Sequence, residues 1–325
     1  MREVTYLKAI NEALADALET DDNVFLFGED IGVYGGAYKV TEGLLQKFGP
    51  ERVIDTPISE AAIVGAALGA SLLGMKPVAE IMYMDFLPIS MDQLVIHASK
   101  LHYMSGGQLK ARFVLRTQYS LGRSHGSQHS EFLPAWFLQA PGLKVVAPST
   151  PYDAKGLLNS ALKEDGPVLF VECAMLYRTK GEVPEGRYEV PLGKADIKRG
   201  GTDLTIVALS RMVPEALSAA EDLHTKGIEA EVIDPRTIQP LDGETIVGSV
   251  KKTGRLLVAS DDMKTGGVGA EIGSVVFEGA FEYLKSPLSR VCSPDMPVPF
   301  SSPLEKQYMP NSEKVARAAE HLMEW

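Results

Sequence analysis

The sequence predicts an α/β fold in two domains, each a mostly parallel sheet flanked by helices. Short runs rich in Val, Ile, Leu and Phe alternate with longer segments of helical period along the whole chain. Many of the apolar runs are continuous rather than alternating, which suits strands covered on both faces. The stretch "GEVPEGRYEVPLGKADIKRGG", Gly181 to Gly201, is rich in Pro, Gly and charge and separates two such series. It reads as a linker (about 181–201), with one domain over 1–185 and another over 186–325.

The elements follow in order. Leu7, Ile10, Leu14, Ala17 and Leu18 recur at helical spacing, with Thr5 as the cap. "NVFLFGED" reads as a buried strand ending in a polar turn. "RVIDTPISE" reads as a strand and a loop, with Ser59 placed to cap the next helix. "PVAEIM" is a strand, and "MDQLVIHASKLHYM" a helix with Leu94, Val95, Ala98 and Leu101 on its apolar face. "RFVLRT" and "LKVVAPS" are strands. At "STPYDAKGLLNSAL", Thr150 is the cap, Pro151 opens the helix and Asp153 completes a capping box. "PVLFVE" closes the first half. The second half offers the strands "DLTIVALS", "EAEVIDPRT" and "RLLVAS". Its helices lie at "VPEALSAAEDLHTKG", from about Val268, and at "NSEKVARAAEHLMEW".

Composition narrows the function classes. With 325 residues, 45% of them hydrophobic, the chain buries a real core. A formal net charge of −11 argues against a nucleic-acid partner, which needs a basic face. Cys173 and Cys292 lie far apart in apolar settings, without metal spacing, which fits a cytosol-like compartment. The start has no apolar signal core, and no run is long enough to span a membrane, so the expected location is cytoplasmic.

Three motifs bear on chemistry. "TGGVGAEIG" spaces Gly267, Gly269 and Gly273 as GxGxxxG, one residue off the dinucleotide fingerprint, and reads best as a tight turn into a helix. "LGRSHGSQHSEF" follows a strand and holds His125 and His129 among Gly, Ser and Gln. It suits anion recognition or proton transfer, and equally an ordinary surface loop with two solvated histidines. Glu60 opens a run, Ala61 to Met75, that is apolar all round. One reading is a first-turn carboxylate favoured by the helix dipole. The other follows from a helix apolar on every side, which implies burial: the carboxyl then sits deep, its pKa raised, as in an acid/base site. Glu29 and Glu80, both at strand ends, are candidates to share its pocket.

"FLFGEDIGVYGGAYKVTEGL", "VIDTPISEAAIVGAALG", "YMSGG", "QHSEFLPAWFLQAPGLKVVAPSTPYDAKGLL" and "EVIDPRTIQPLD" together resemble the β subunit of the thiamin-diphosphate-dependent E1 component of 2-oxoacid dehydrogenase complexes. Pyruvate, branched-chain 2-oxoacid and acetoin members share this pattern, which runs in order over essentially the whole chain. The resemblance implies a pyrimidine-binding domain followed by a transketolase C-terminal-like domain. It implies an α2β2 assembly with the E1 α subunit, which holds diphosphate and Mg²⁺ through a GDG motif absent here, and transfer of the acyl group to lipoyl-bearing E2. Glu60 matches the family's glutamate that bonds N1′ of the aminopyrimidine and relays a proton. His129 matches the histidine near the reacting centre. Phe86 matches the aromatic that stacks on the aminopyrimidine, and Ile58 and Met82 match its walls, with Glu29 nearby. The resemblance also implies K⁺ near Ala161 and Leu162, although Glu164 and Gly166 stand where the family's loop often has Asp and Asn. The substrate is expected to be a small 2-oxoacid or acetoin.

Overall fold

The computed structural model describes all of residues 1–325. The chain forms two units. One comprises Met1–Ser120 and Trp136–Leu192, the other Leu121–Ala135 and Gly193–Trp325.

In the first unit, β1 (Arg2–Thr5) pairs antiparallel with β8 (Lys180–Val183) in a small ribbon. The main sheet uses β2 (Val24–Gly28), β3 (Val53–Asp55), β4 (Lys76–Ile81), β5 (Val114–Tyr119), β6 (Lys144–Val146) and β7 (Val168–Cys173). These run parallel in the order β6-β7-β5-β4-β2-β3. β5 and β7 are buried along their whole length, as continuous apolar runs require of a sheet covered on both faces. Helix α1 (Tyr6–Thr20) begins at Thr5, whose Oγ1 accepts the Lys8 N–H at 3.1 Å. It buries Ile10, Leu14, Ala17 and Leu18, while Leu7 is half-buried. Between β2 and β3 lies the short helix α2 (Leu44–Phe48). Helix α3 (Glu60–Leu72) follows β3. Helix α5 (Pro151–Ala161) packs on α1, and its cap is the predicted one: Thr150 Oγ1 accepts the Asp153 N–H at 3.1 Å and bonds the Asp153 carboxylate at 2.6 Å.

One helix differs from expectation. After a 3₁₀ segment, Met84–Ser90, residues Asp92–Ala98 wind as a π-helix, and only Leu101–Met104 (α4) is α-helical. Leu94 and Ala98 are buried as predicted. Val95 and Leu101 are half-buried, because widening the turn rotates the apolar positions off a common face.

In the second unit, β9 (Asp196–Arg199), β10 (Leu204–Ala208), β11 (Ala230–Asp234), β13 (Leu256–Met263) and β14 (Ser289–Ser293) form a sheet in the order β14-β13-β10-β11-β9. All neighbours run parallel except the edge strand β9. A further short strand, β12 (Thr237–Gln239), follows β11. Helices α6 (Met212–His224) and α10 (Ser312–Met323) bury Met212, Ala216, Leu223, Val315 and Leu322 against Ile206, Val232 and Leu257. Asn311 caps α10 by accepting the Lys314 N–H at 2.9 Å. Helices α7 (Gly243–Thr253), α8 (Val268–Ala280) and α9 (Ser302–Tyr308) complete the unit. The stretch 181–201, read as linker, carries most of β8 and all of β9. No helix is long and apolar enough to cross a membrane.

Candidate functional site

The register fixes where the candidate residues emerge. Gly28 of β2 pairs with Asp55 of β3 and with Glu80 of β4, so three neighbouring strands end almost level. From this edge the chain supplies Glu29 after β2, Ile58 and Glu60 after β3, and Met82 and Phe86 after β4. The carboxyl edge of a parallel sheet is where such folds place ligands. Glu29 and Glu60 are close enough to interact. Burial, then the charges of Asp30 and Glu60, raise the Glu29 carboxyl above its usual range. Phe86 is half-buried and meets Tyr83 edge-on, with ring centroids 6.0 Å apart at 89°. Met82 is half-buried and Ile58 is 73% exposed.

Local contacts hold this edge in shape. A Cβ on Gly28 would lie 2.7 Å from the Glu80 carbonyl oxygen, so only glycine lets β2 and β4 approach here. Asp55 reaches across to the loop after β2 and accepts the N–H groups of Gly32 and Val33. The Thr56 N–H donates to the Gly28 carbonyl at 2.9 Å, while the buried Thr56 hydroxyl has no partner. That orphaned group fits an edge built to meet a polar ligand. Asp55 and Thr56 were missed from sequence. The signal was the Gly-rich "IGVYGG", whose exposed amides need an acceptor.

Two expectations are corrected here. Helix α3 is not buried on every side: Ile63, Val64, Ala67 and Ser71 are covered, while Ala62, Ala66 and Gly69 are exposed and Leu73, just past its end, is 86% exposed. Glu60 is accordingly half-buried rather than deep, and Ser59 makes no side-chain cap bond. The apolar composition is real, but one face has no cover within this chain. Glu80 does not share a pocket with Glu60. It is buried on β4 against Arg116 of β5, which also binds Glu172 of β7 through Nε (2.7 Å) and Nη2 (3.0 Å). Tyr177 donates to Glu172 at 2.8 Å and bonds the Gln118 side chain at 2.5 Å. Burial raises the Glu80 carboxyl despite its cation, and the two carboxylates raise Arg116.

His129 sits in the second unit, on the loop Leu121–Ala135. Glu305 of α9 anchors the loop by accepting the N–H groups of Gly122 and Ser124, each at 2.8 Å. The Ser127 hydroxyl donates to the Val298 carbonyl at 3.0 Å. His125 and His129 are half-buried and near one another. Burial lowers the His125 pKa, and the charges of Arg123 and His129 lower it further. The loop is therefore a held structure rather than a solvated strand of histidines. Glu305 was the missed residue, because nothing local marks a glutamate 183 positions away.

The GxGxxxG stretch is a turn into α8, as read. The Val268 N–H donates to Asp262 at 2.7 Å, and a Cβ at Gly267 would strike the Met263 carbonyl at 2.3 Å. Ala161 and Leu162 lie at the opposite edge of the first sheet, at the C-terminal end of α5.

Residues 2–180 match the transketolase pyrimidine binding domain, and residues 193–315 match the transketolase C-terminal domain. Fold and site therefore define a two-domain protein of the transketolase class, which implies thiamin diphosphate chemistry. Among solved structures, a split-gene transketolase in an inactive β4 tetramer superposes with a TM-score of 0.79 at 24% identity, covering 99% of this chain and 98% of that one. At that identity the likeness speaks for the fold.

Curated relatives narrow the class. Acetoin:2,6-dichlorophenolindophenol oxidoreductase subunit beta of Bacillus subtilis is 43% identical over 99% of this chain and 98% of its own length. The pyruvate dehydrogenase E1 component subunit beta (43%) and 2-oxoisovalerate dehydrogenase subunit beta (42%) of the same organism each match over 100% of both chains. The chain belongs to the family of E1 β subunits of 2-oxoacid dehydrogenase complexes. These are subunits of oxidoreductases, and a β subunit implies a companion α subunit.

Proposed function

We propose that this chain serves an E1 enzyme that oxidatively decarboxylates pyruvate or a branched-chain 2-oxoacid and passes the acyl group to lipoyl-bearing E2. The observation that carries the site assignment is the level ending of β2, β3 and β4, from which Glu29, Ile58, Glu60, Met82 and Phe86 all emerge. The first domain (1–185) takes the aminopyrimidine end of thiamin diphosphate, and the second (186–325) is the transketolase C-terminal-like part. When bound, the cofactor supplies the electron sink.

The chain's own residues supply placement and proton management. Glu60 holds and moves a proton at the pyrimidine N1′, and the neighbouring Glu29 shares that local charge. Phe86 offers its ring face, while Ile58 and Met82 form the apolar walls. His129 acts at the reacting centre or in transfer to the lipoyl group. Proton exchange with so weak a base requires a dry carboxyl. Glu60 is half-buried in the single chain, and the uncovered face of α3 and the exposed Ile58 are where the α subunit would close the site in an α2β2 assembly. No group of three or more His, Cys, Asp or Glu gathers here to hold a metal, and we assign diphosphate and Mg²⁺ to the α subunit. A cytoplasmic setting accords with the bacterial relatives. A second reading, cleavage of acetoin, is favoured by the 43% identity to an acetoin-acting relative.

The test is reduction of an artificial electron acceptor by the reconstituted α/β complex, with pyruvate, a branched-chain 2-oxoacid and acetoin offered in parallel. Activity is expected only with both subunits. Glu60→Gln is expected to abolish it while the assembly still forms, and normal turnover in that variant overturns the proton assignment.

A further inference from the structure

The turn that follows α5 is where the family resemblance implies a monovalent cation, and its residues do not fit one. The last carbonyls of a helix attract positive charge. Here the chain places cations of its own at the turn, each paired with a carboxylate that follows the helix. Lys144, the first residue of β6, is held beside the turn because its backbone N–H donates to the Pro167 carbonyl at 3.1 Å. Its ammonium forms a half-buried ion pair with Glu164. The Ala161 carbonyl accepts the Glu164 N–H at 3.2 Å. The next carboxylate, Asp165, is bound by Lys110 at 2.7 Å and by Arg112 at 2.5 Å, which hold it below the usual carboxylate range. Gly166 offers no side-chain oxygen, and a Cβ there would press on the Gly142 carbonyl at 3.3 Å. Two carboxylates thus face three side-chain cations, and a free cation added to the turn would meet an excess of positive charge.

We infer that the Lys144 ammonium is a built-in replacement for the monovalent cation, so that the α5–β7 turn of this chain is ordered without K⁺. A tethered ammonium does the same electrostatic work as a bound ion and does not dissociate at low salt. A related chain without the lysine would depend on the ion concentration for the same turn. This inference stands apart from the assignment of Glu60 and His129, since its readout is the stability of the purified chain and not turnover.

The experiment compares thermal melting of the full-length chain in KCl, NaCl and choline chloride at equal ionic strength, for the wild type, Lys144→Met and Lys144→Ala. The wild type is expected to melt at the same temperature in all three salts. The variants are expected to melt lower in choline and to recover in KCl by roughly 2–4 °C, the size of shift a single modest interaction gives in a domain of this length. If either variant is folded only in KCl, that supports the inference equally. A K⁺-specific rise in the wild type overturns it. So do variants that fold and ignore K⁺, or that fail to fold in every salt while Lys144→Arg melts normally, since the lysine is then an ordinary ion-pair partner.

Discussion

The Asp55 carboxylate accepts two consecutive backbone N–H groups across the sheet edge, from Gly32 at 2.6 Å and Val33 at 3.0 Å. It thereby ties the loop that carries Glu29 to the strand that leads to Glu60. Removing the acceptor frees both amides and loosens the spacing of the two glutamates. Asp55→Ala is expected to weaken thiamin diphosphate affinity of the reconstituted complex several-fold, with Asp55→Asn intermediate because one acceptor oxygen remains. Titration of activity against cofactor concentration reads the effect. Unchanged cofactor dependence in Asp55→Ala would show that the loop is held by other means.

Arg116 ion-pairs with both Glu80 and Glu172 in the buried cluster of the first sheet. Arg116→Met leaves two carboxylates without it. Breaking a buried pair in this way costs about 3–5 kcal/mol. Chemical denaturation should show the loss, and Glu80→Gln should cost much less, since one acid fewer leaves the remaining pair intact.

Asp262, near the end of β13, is buried against the first turn of α8, and burial lifts its carboxyl from 3.8 to about 6. A raised acid binds its proton more tightly in the folded chain than in the unfolded one. Its contribution to stability is therefore full below pH 3.8, falls as pH rises toward about 6, and stays lost above that. The loss is about 3 kcal/mol, at 1.36 kcal/mol per unit. Asp262→Asn keeps an oxygen for the Val268 N–H and cannot ionise. Relative to wild type it should gain stability at pH 7.5 and not at pH 3.5. Equal differences at the two pH values would remove Asp262 from the pH profile.

Glu305 holds the histidine loop through the Gly122 and Ser124 amides. Glu305→Ala should speed hydrogen exchange at those two amides and leave α10 unchanged. Exchange at wild-type rates would mean that Ser127 and Val298 suffice to fix the loop.

What the sequence discloses depends on the range of the interaction. The Thr150 cap is legible because donor and acceptor lie three residues apart. The strand ends that place Glu29 and Glu60 are legible because a parallel sheet aligns them. The role of Glu80 is not, because its partners sit on two other strands and strand order cannot be read from a linear pattern. Helix α3 shows a third limit. Its apolar composition suits cover on every face and does not reveal that this chain leaves one face open. The π-helix at Asp92–Ala98 is hidden for a different reason, since its residues satisfy the α period equally well.

The histidine loop and its anchor are separated by 183 residues. A ribosome adds about 5–20 residues each second. Every new copy of this chain therefore spends roughly 10–40 s with Gly122 and His129 already made and Glu305 still unmade. The histidine loop is among the last parts of the molecule that can settle. A nascent chain that stalls or is cut before α9 lacks Glu305 and the core residues of α10, and carries a histidine loop without this support.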